Sequence, residues 1–378
     1  MMDAYIVEAK RTPIGRSHQD KGILRNIRAD ELLAKLMTYF AKEVIPAEKV
    51  DDVLIGCVGQ HLEQGKNLGR LAGLLAGFPE SVPATTINRL CGSSLQAFNF
   101  GAANLECGQD AIILAGGVEH MHHVPMLAAL DYHEELLKQY EFPFNNMGLT
   151  AEKVAKAYEI SRQEQDEFAQ ESHRKAVKAQ ESGYFDTEIL GIQVGSDLVT
   201  QDQSPRGNTT LERLGELKTI FMEKGTVTAG NSSPLNDGAS LTCLANAASC
   251  RELGLKKRAQ VIGFSVVGLD PTMMGMGPVP AVQKLLQRQR MTVDDVDLFE
   301  INEAFASQSI ASIRELKIPT EKVNPAGGAI ALGHPLGCTG TRLITTLLHN
   351  LERLDQEVGV AAMCIGHGQG IATMIKRG

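Results

Sequence analysis

Between residues 30 and 44 apolar side chains recur every three or four positions, and short unbroken apolar runs follow at 53–58 and 111–114. Helical periodicity alternating with brief strands predicts an α/β layer, a mostly buried sheet covered by helices. The chain enters this pattern at once, with a strand over 3–7. Residues 119–238 break it. Polar helices are predicted at 150–158 and 162–182, and 202–208 is rich in turn formers, so the stretch reads as an inserted loop domain. From about 259 the first pattern restarts, with a strand at 260–268, a helix at 281–289 and a strand at 296–301.

A restart predicts an internal repeat. Val50-Asp51-Asp52-Val53 recurs as Val293-Asp294-Asp295-Val296, and Cys91 lies 38 residues past Val53 just as His334 lies 38 past Val296. The expectation is two βαβ-rich halves, 1–264 carrying the insert 119–238 and 265–378, with equivalent corners facing each other. One corner holds a sulfur and the other an imidazole, where helix N-termini and strand ends converge.

Composition narrows the function. With 378 residues and 43% hydrophobic content, the chain has ample material for more than one core. A formal net charge of -8 excludes a general nucleic-acid binder, which needs Lys and Arg against phosphates. Seven cysteines, an odd number in apolar contexts and without zinc-like spacing, predict reduced thiols. No apolar run reaches transmembrane length and no leader pattern precedes the first strand, so a cytoplasmic protein is expected.

Four segments carry candidate chemistry. Cys91, in the run from Asn88 to Ser94, stands just before a predicted helix, whose free N–H groups and dipole are expected to hold a thiolate below the free value of roughly 8.5 and to bind an oxyanion. His334 sits in a glycine-rich loop, aimed by Pro335, as a candidate general base. Cys364 ends a predicted strand before Gly366-His367-Gly368, and Asn302 stands where a strand gives way to a helix. Each alone also fits a bland role: a core thiol, a turn histidine, a helix cap. Together they point to covalent catalysis. Glu119-His120-Met121-His122-His123 lacks a partner at helical spacing, so it is read as polar packing and no metal site is expected. Cys57, Cys107, Cys243, Cys250 and Cys338 are read as structural.

With these residues in hand, the chain resembles the thiolase family along its whole length. The matching motifs run in order from Arg11 to Gly15, Asn88 to Ser94, Gly225 to Ser233, Asn302 to Ala306, Gly327 to Gly337 and Cys364 to Gly370. The resemblance implies a thiolase fold, two pseudo-symmetric halves forming α-β-α-β-α layers. It implies Cys91 as the acylated nucleophile, His334 as its base and Cys364 as the acid/base for the leaving and entering groups. One oxyanion hole is implied for His334 and a water held by Asn302, a second for the amides of Cys91 and Gly366. Implied coenzyme A contacts are Ser233, Ala229, Arg206 and Met147, with coenzyme A as substrate and no tightly bound cofactor.

Segments 116–126 and 147–152 are most similar to the β-subunit of bacterial fatty-acid oxidation complexes. That implies degradative 3-ketoacyl-CoA cleavage by a homodimer assembled with a hydratase/dehydrogenase α-subunit. Two positions depart from the family: His367 replaces a glycine or apolar residue, and Asn146 replaces a histidine familiar in biosynthetic relatives. The alternatives are a biosynthetic acetoacetyl-CoA thiolase, a decarboxylating ketoacyl synthase and a non-catalytic acyl-CoA-binding subunit.

Overall fold

A computed structural model describes residues 2–128 and 130–378. Its centre is one long mixed sheet of two mirrored parts. In the first, the strands Ala84–Ile87, Asp52–Gly56, Ile112–His120, Asn236–Ala245 and Tyr5–Arg11 lie side by side; in the second, Leu298–Ile301, Val358–Ile365, Gln369–Arg377 and Ala259–Gly268 follow the same logic. Parallel strands, three in the first part and two in the second, are continued in each by two antiparallel ones, and the parts join where Tyr5 meets Gln260 and Ile6 meets Ala259. The strand Ala259–Gly268 straddles the expected boundary at 264/265 and pairs with Gln369–Arg377.

Helices complete five layers. Ala29–Glu43 buries Leu32, Leu33, Leu36, Met37 and Phe40 on one stripe against the first part, as its periodicity predicts. Pro278–Gln289 and Ala306–Leu316 cover the outer face of the second. Between the parts run two central helices, Ser93–Glu106 and Leu336–Arg353, sharing one core with strands of both. Gly340 permits this contact: a Cβ there would stand 2.3 Å from the amide nitrogen of Leu95.

The halves are equivalent, but in a different register from the four-residue match. Asp51 donates its amide to the carbonyl of Ile112, and its carboxylate accepts from the amides of Ala111 and Ile112. Asp297 does the same with Val358, and with the amides of Glu357 and Val358. The true counterpart of Val50-Asp51 is therefore Val296-Asp297, three residues on, and the equal 38-residue spacings coincide by accident. What makes the corners equivalent is that Cys91 and His334 each stand two residues ahead of a central helix.

Residues 121–235 leave the first half between Ile112–His120 and Asn236–Ala245; in the second half Gly366-His367-Gly368 makes the corresponding turn. The insert holds the helices Met147–Ala157 and Arg162–Glu181, the latter opened by a reciprocal Ser161–Glu164 capping box. It is fastened to the body by buried Arg11, which pairs with Glu188 and Asp202, and by Ser172, which donates to Glu303.

Candidate active site

The loop before the first central helix is tightly wound. Leu90 adopts φ +46, Asn88 Oδ1 accepts its amide, and Ser93 Oγ bridges the Leu90 carbonyl and the Arg89 amide. Backbone held in the left-handed region by a branched residue is stored strain, of a kind that collects at functional sites. Gly92 leaves room for Ile365, which a Cβ would meet at 2.6 Å. This presses Cys91 towards the turn after the strand Val358–Ile365.

There the Cys91 sulfur receives the Gly366 amide and its own. These donors do not produce the expected depressed thiol. Burial pushes Cys91 up to about 11, although part of its surface stays open to solvent, because dehydrating the thiolate costs more than two amides return. The resting group is a thiol that needs a base. Cys364 is raised still further, by burial first and by the neighbouring Cys91 second.

His334 follows Gly333, whose φ of +114 and close approach to the Asn236 amide exclude any side chain. Asn236 Oδ1 accepts the His334 amide at 3.0 Å. His334 Nδ1 lies 2.7 Å from Thr339 Oγ1, and that hydroxyl gives its hydrogen to the Pro335 carbonyl at 2.8 Å. Thr339 therefore accepts from Nδ1–H, which leaves the lone pair on Nε2. Burial, helped by Arg342, pushes His334 down to about 3, so the imidazole is neutral and able to take a proton. Asn302, at the end of the strand Leu298–Ile301, turns its Nδ2 to Nε2 at 3.3 Å, while its buried Oδ1 has no partner among the described residues.

The expected coenzyme A contacts divide. Arg206 and Ala229 line one cleft of about 390 Å³ with His173 and Arg213, in the insert. Ser232 and Pro234 line it too, whereas Ser233 is tied to the Ala304 carbonyl beside it. Met147 is at the other end, where its sulfur would lie 3.5 Å from a Cβ on Gly366. The loop between these ends is held by Glu152, whose carboxylate accepts the amides of Thr226 and Val227. A larger cleft of about 570 Å³, by Arg174 and Arg353, contains none of the expected site residues.

Asn146 caps the helix Met147–Ala157 by accepting the Leu149 amide. His367 takes φ +62, and Nε2 meets the Tyr132 hydroxyl at 2.9 Å. The sequence reading missed Thr339, Asn236 and Glu119, the last accepting the Gly337 amide at the start of the second central helix. Of the five cysteines read as structural, Cys57, Cys243, Cys250 and Cys338 are buried and Cys107 is exposed.

The whole length of the chain is similar to known proteins. The thiolase N-terminal domain model matches residues 4–248 and the thiolase C-terminal domain model 255–377. The chain is 49% identical to a 3-ketoacyl-CoA thiolase of Aliivibrio fischeri and 47% identical to one of Aeromonas salmonicida, each alignment covering 100% of both chains. Among solved structures it is similar to the Bacillus anthracis acetyl-CoA acetyltransferase, with TM-score 0.90 and 39% identity, covering 100% of this chain and 99% of that one.

Proposed function

Because this chain belongs to the thiolase family, we propose that its paired cysteines and neutral imidazole carry out two-step acyl transfer. The protein is an acyltransferase, a degradative 3-ketoacyl-CoA thiolase that uses coenzyme A as substrate and needs no tightly bound cofactor. The observation that carries the residue assignment is the neutral His334, its Nε2 freed by the Thr339 bond, in a site where Cys91 rests as a thiol.

In the first step His334 Nε2 takes the Cys91 proton and the sulfur attacks the 3-keto carbon. The C2–C3 bond breaks, the acyl group stays on Cys91, and acetyl-CoA departs as an enolate. That enolate is the costly species, and one preorganised donor is worth about 3 kcal/mol. His334 and a water held by Asn302 face its oxygen. The amides of Cys91 and Gly366 serve the oxygen of the other half-reaction. Cys364 protonates the enolate carbon; its thiolate then deprotonates incoming coenzyme A, whose sulfur takes the acyl group from Cys91, and His334 returns its proton to the departing Cys91 thiolate. Arg206, Ala229, Ser233 and Met147 bind the coenzyme along the insert.

The finer context is also proposed. A homodimer is supported by the edge strand Ala84–Ile87, paired on one side, and by exposed Leu71, Leu74, Leu75 and Phe100. A hydratase/dehydrogenase α-subunit as further partner is supported by exposed Met126, Leu127, Leu136 and Leu137 on the insert. Seven cysteines, all unpaired, support the cytoplasm.

Mixing the protein with 3-ketohexadecanoyl-CoA and mapping the adduct by mass spectrometry tests the assignment. The acyl group is expected on Cys91; Cys364→Ala still acylates but barely transfers, and Cys91→Ser loses turnover while retaining coenzyme A binding. An adduct on Cys364 would reverse the roles. The similarity to an acetyl-CoA acetyltransferase favours one second reading, biosynthetic preference for acetoacetyl-CoA. A rate ratio strongly favouring four-carbon over sixteen-carbon substrates would select it.

A further inference from the structure

His120 ends the strand Ile112–His120, and His123 stacks on it with ring centroids 3.8 Å apart. His120 Nε2 points at the Leu24 carbonyl at 3.2 Å and His123 Nε2 at the Arg25 carbonyl at 2.7 Å. A carbonyl only accepts, so each ring carries its hydrogen on Nε2. The lone pairs are left on the two Nδ1 atoms, and both point the same way. Imidazoles that bind metals are commonly held like this, with the far N–H on a backbone carbonyl.

Two carboxylates reach the same place from distant parts of the chain. Glu63 Oε1 lies 2.9 Å from His123 Nδ1 and also accepts the Ala29 amide. Asp237 Oδ1 lies 3.4 Å from His120 Nδ1 and also accepts the His122 amide, while its buried Oδ2 has no partner among the described residues. The donor atoms of Glu63, His120 and His123 all lie within 4.8 Å of one another. A carboxylate oxygen and an imidazole lone pair 2.9 Å apart repel, so either a proton on His123 Nδ1 or a metal cation sits between them. Donors already on this set are the His123 amide, 3.1 Å from His120 Nδ1, the amides of Ala29 and His122 on the two carboxylates, and the Arg28 guanidinium, 3.6 Å from Glu63 Oε2.

We infer that Glu63, His120 and His123 form a site for a borderline divalent cation, zinc foremost, with the Asp237 carboxylate next to His120. Two imidazoles and one carboxylate supply three donors within 4.8 Å of one another, and the tetrahedral shell that zinc favours, with bonds of about 2.1 Å, is completed by Asp237 or a water as the groups draw inward. The spacing of the histidines alone could not reveal it, because Glu63 comes from upstream and Asp237 from beyond the insert.

Position suggests its use. His120 follows Glu119, which accepts the Gly337 amide, and Asp237 follows Asn236, which accepts the His334 amide. An ion here would brace both residues that frame the base, and clamp the segment bearing Leu24 and Arg25 to the strand ends, without touching the reacting atoms.

The test uses the full-length protein, stripped with chelator and titrated with Zn²⁺ by calorimetry and with Co²⁺ by absorption. Expected are one ion per chain with micromolar or tighter affinity, tetrahedral cobalt bands without sulfur-to-metal charge transfer, and a raised thermal midpoint. His123→Ala, at a quarter-exposed ring whose loss the fold tolerates, and Glu63→Gln should each weaken binding on the order of a hundredfold and abolish the midpoint shift. No binding tighter than millimolar would overturn the inference, leaving a proton between Glu63 and His123. Binding undiminished in both variants, or a cobalt–sulfur band placing the ion on Cys91 and Cys364, would also overturn it.

Discussion

A single hydroxyl decides which nitrogen of the His334 ring is free. Thr339→Val removes the acceptor for Nδ1–H and leaves that donor buried, a loss of about 1–3 kcal/mol. The expected result is a kcat lower by ten- to a hundredfold with KM for coenzyme A unchanged, and rescue by Thr339→Ser, measured by steady-state thiolysis. The thiol offers a second check. Since burial raises Cys91 to about 11, its alkylation by iodoacetamide should keep accelerating from pH 6 to 9, whereas a preformed thiolate would give a plateau. Cys91, His334 and Cys364 were visible as candidates, because cysteine and histidine among glycines stand out in a sequence. Thr339 and Asn236 were not: a hydroxyl five residues past the base and an amide 98 residues before it look like any other polar positions. The direction of the Cys91 shift was also misread, because proximity to a helix start shows in sequence and the density of surrounding protein does not.

At the level of elements, the approach of two helices places the sulfur and the imidazole. The contact at Gly340 has no room for a methyl group against the Leu95 backbone, so Gly340→Ala must separate the helices or distort one. Overpacking of this kind costs about 1–3 kcal/mol. Chemical denaturation should show that loss, with a fall in activity exceeding it because both corners ride on these helices. The alternation of helices and strands was readable from periodicity. The repeat was readable only in outline. Its register rests on Asp51 and Asp297 each bonding a neighbouring strand, a contact pattern that a coincidental four-residue match obscured.

For the molecule as a whole, buried histidines tie stability to pH. His173, beside Arg206 in the cleft, is pushed down to about 4 by burial and then by that arginine. Below pH 6.5 the unfolded chain protonates this ring while the folded one does not until about 4. The native state therefore loses stability through that window as pH falls, at about 1.4 kcal/mol per pH unit for this one group. Buried Asp237 and Glu300, raised to about 7 and about 8, act with the opposite sign, so the effect is isolated by substitution. In His173→Gln, unfolding free energies compared with the parent at pH 6.5 and pH 5 should show the variant gaining relative stability as the solution is acidified; a constant difference would refute the assignment.

The unequal return paths of the two halves, a three-residue turn in one and the segment 121–235 in the other, separate what this protein does from what it does it to. The turn 366–368 carries the amide that meets the Cys91 sulfur, and the portion lining the cleft of Arg206 and Ala229 is internally braced by Glu152 and by Asn231 bonding Asp166. A change in the grafted portion can therefore reshape that cleft while the short turn opposite keeps its place.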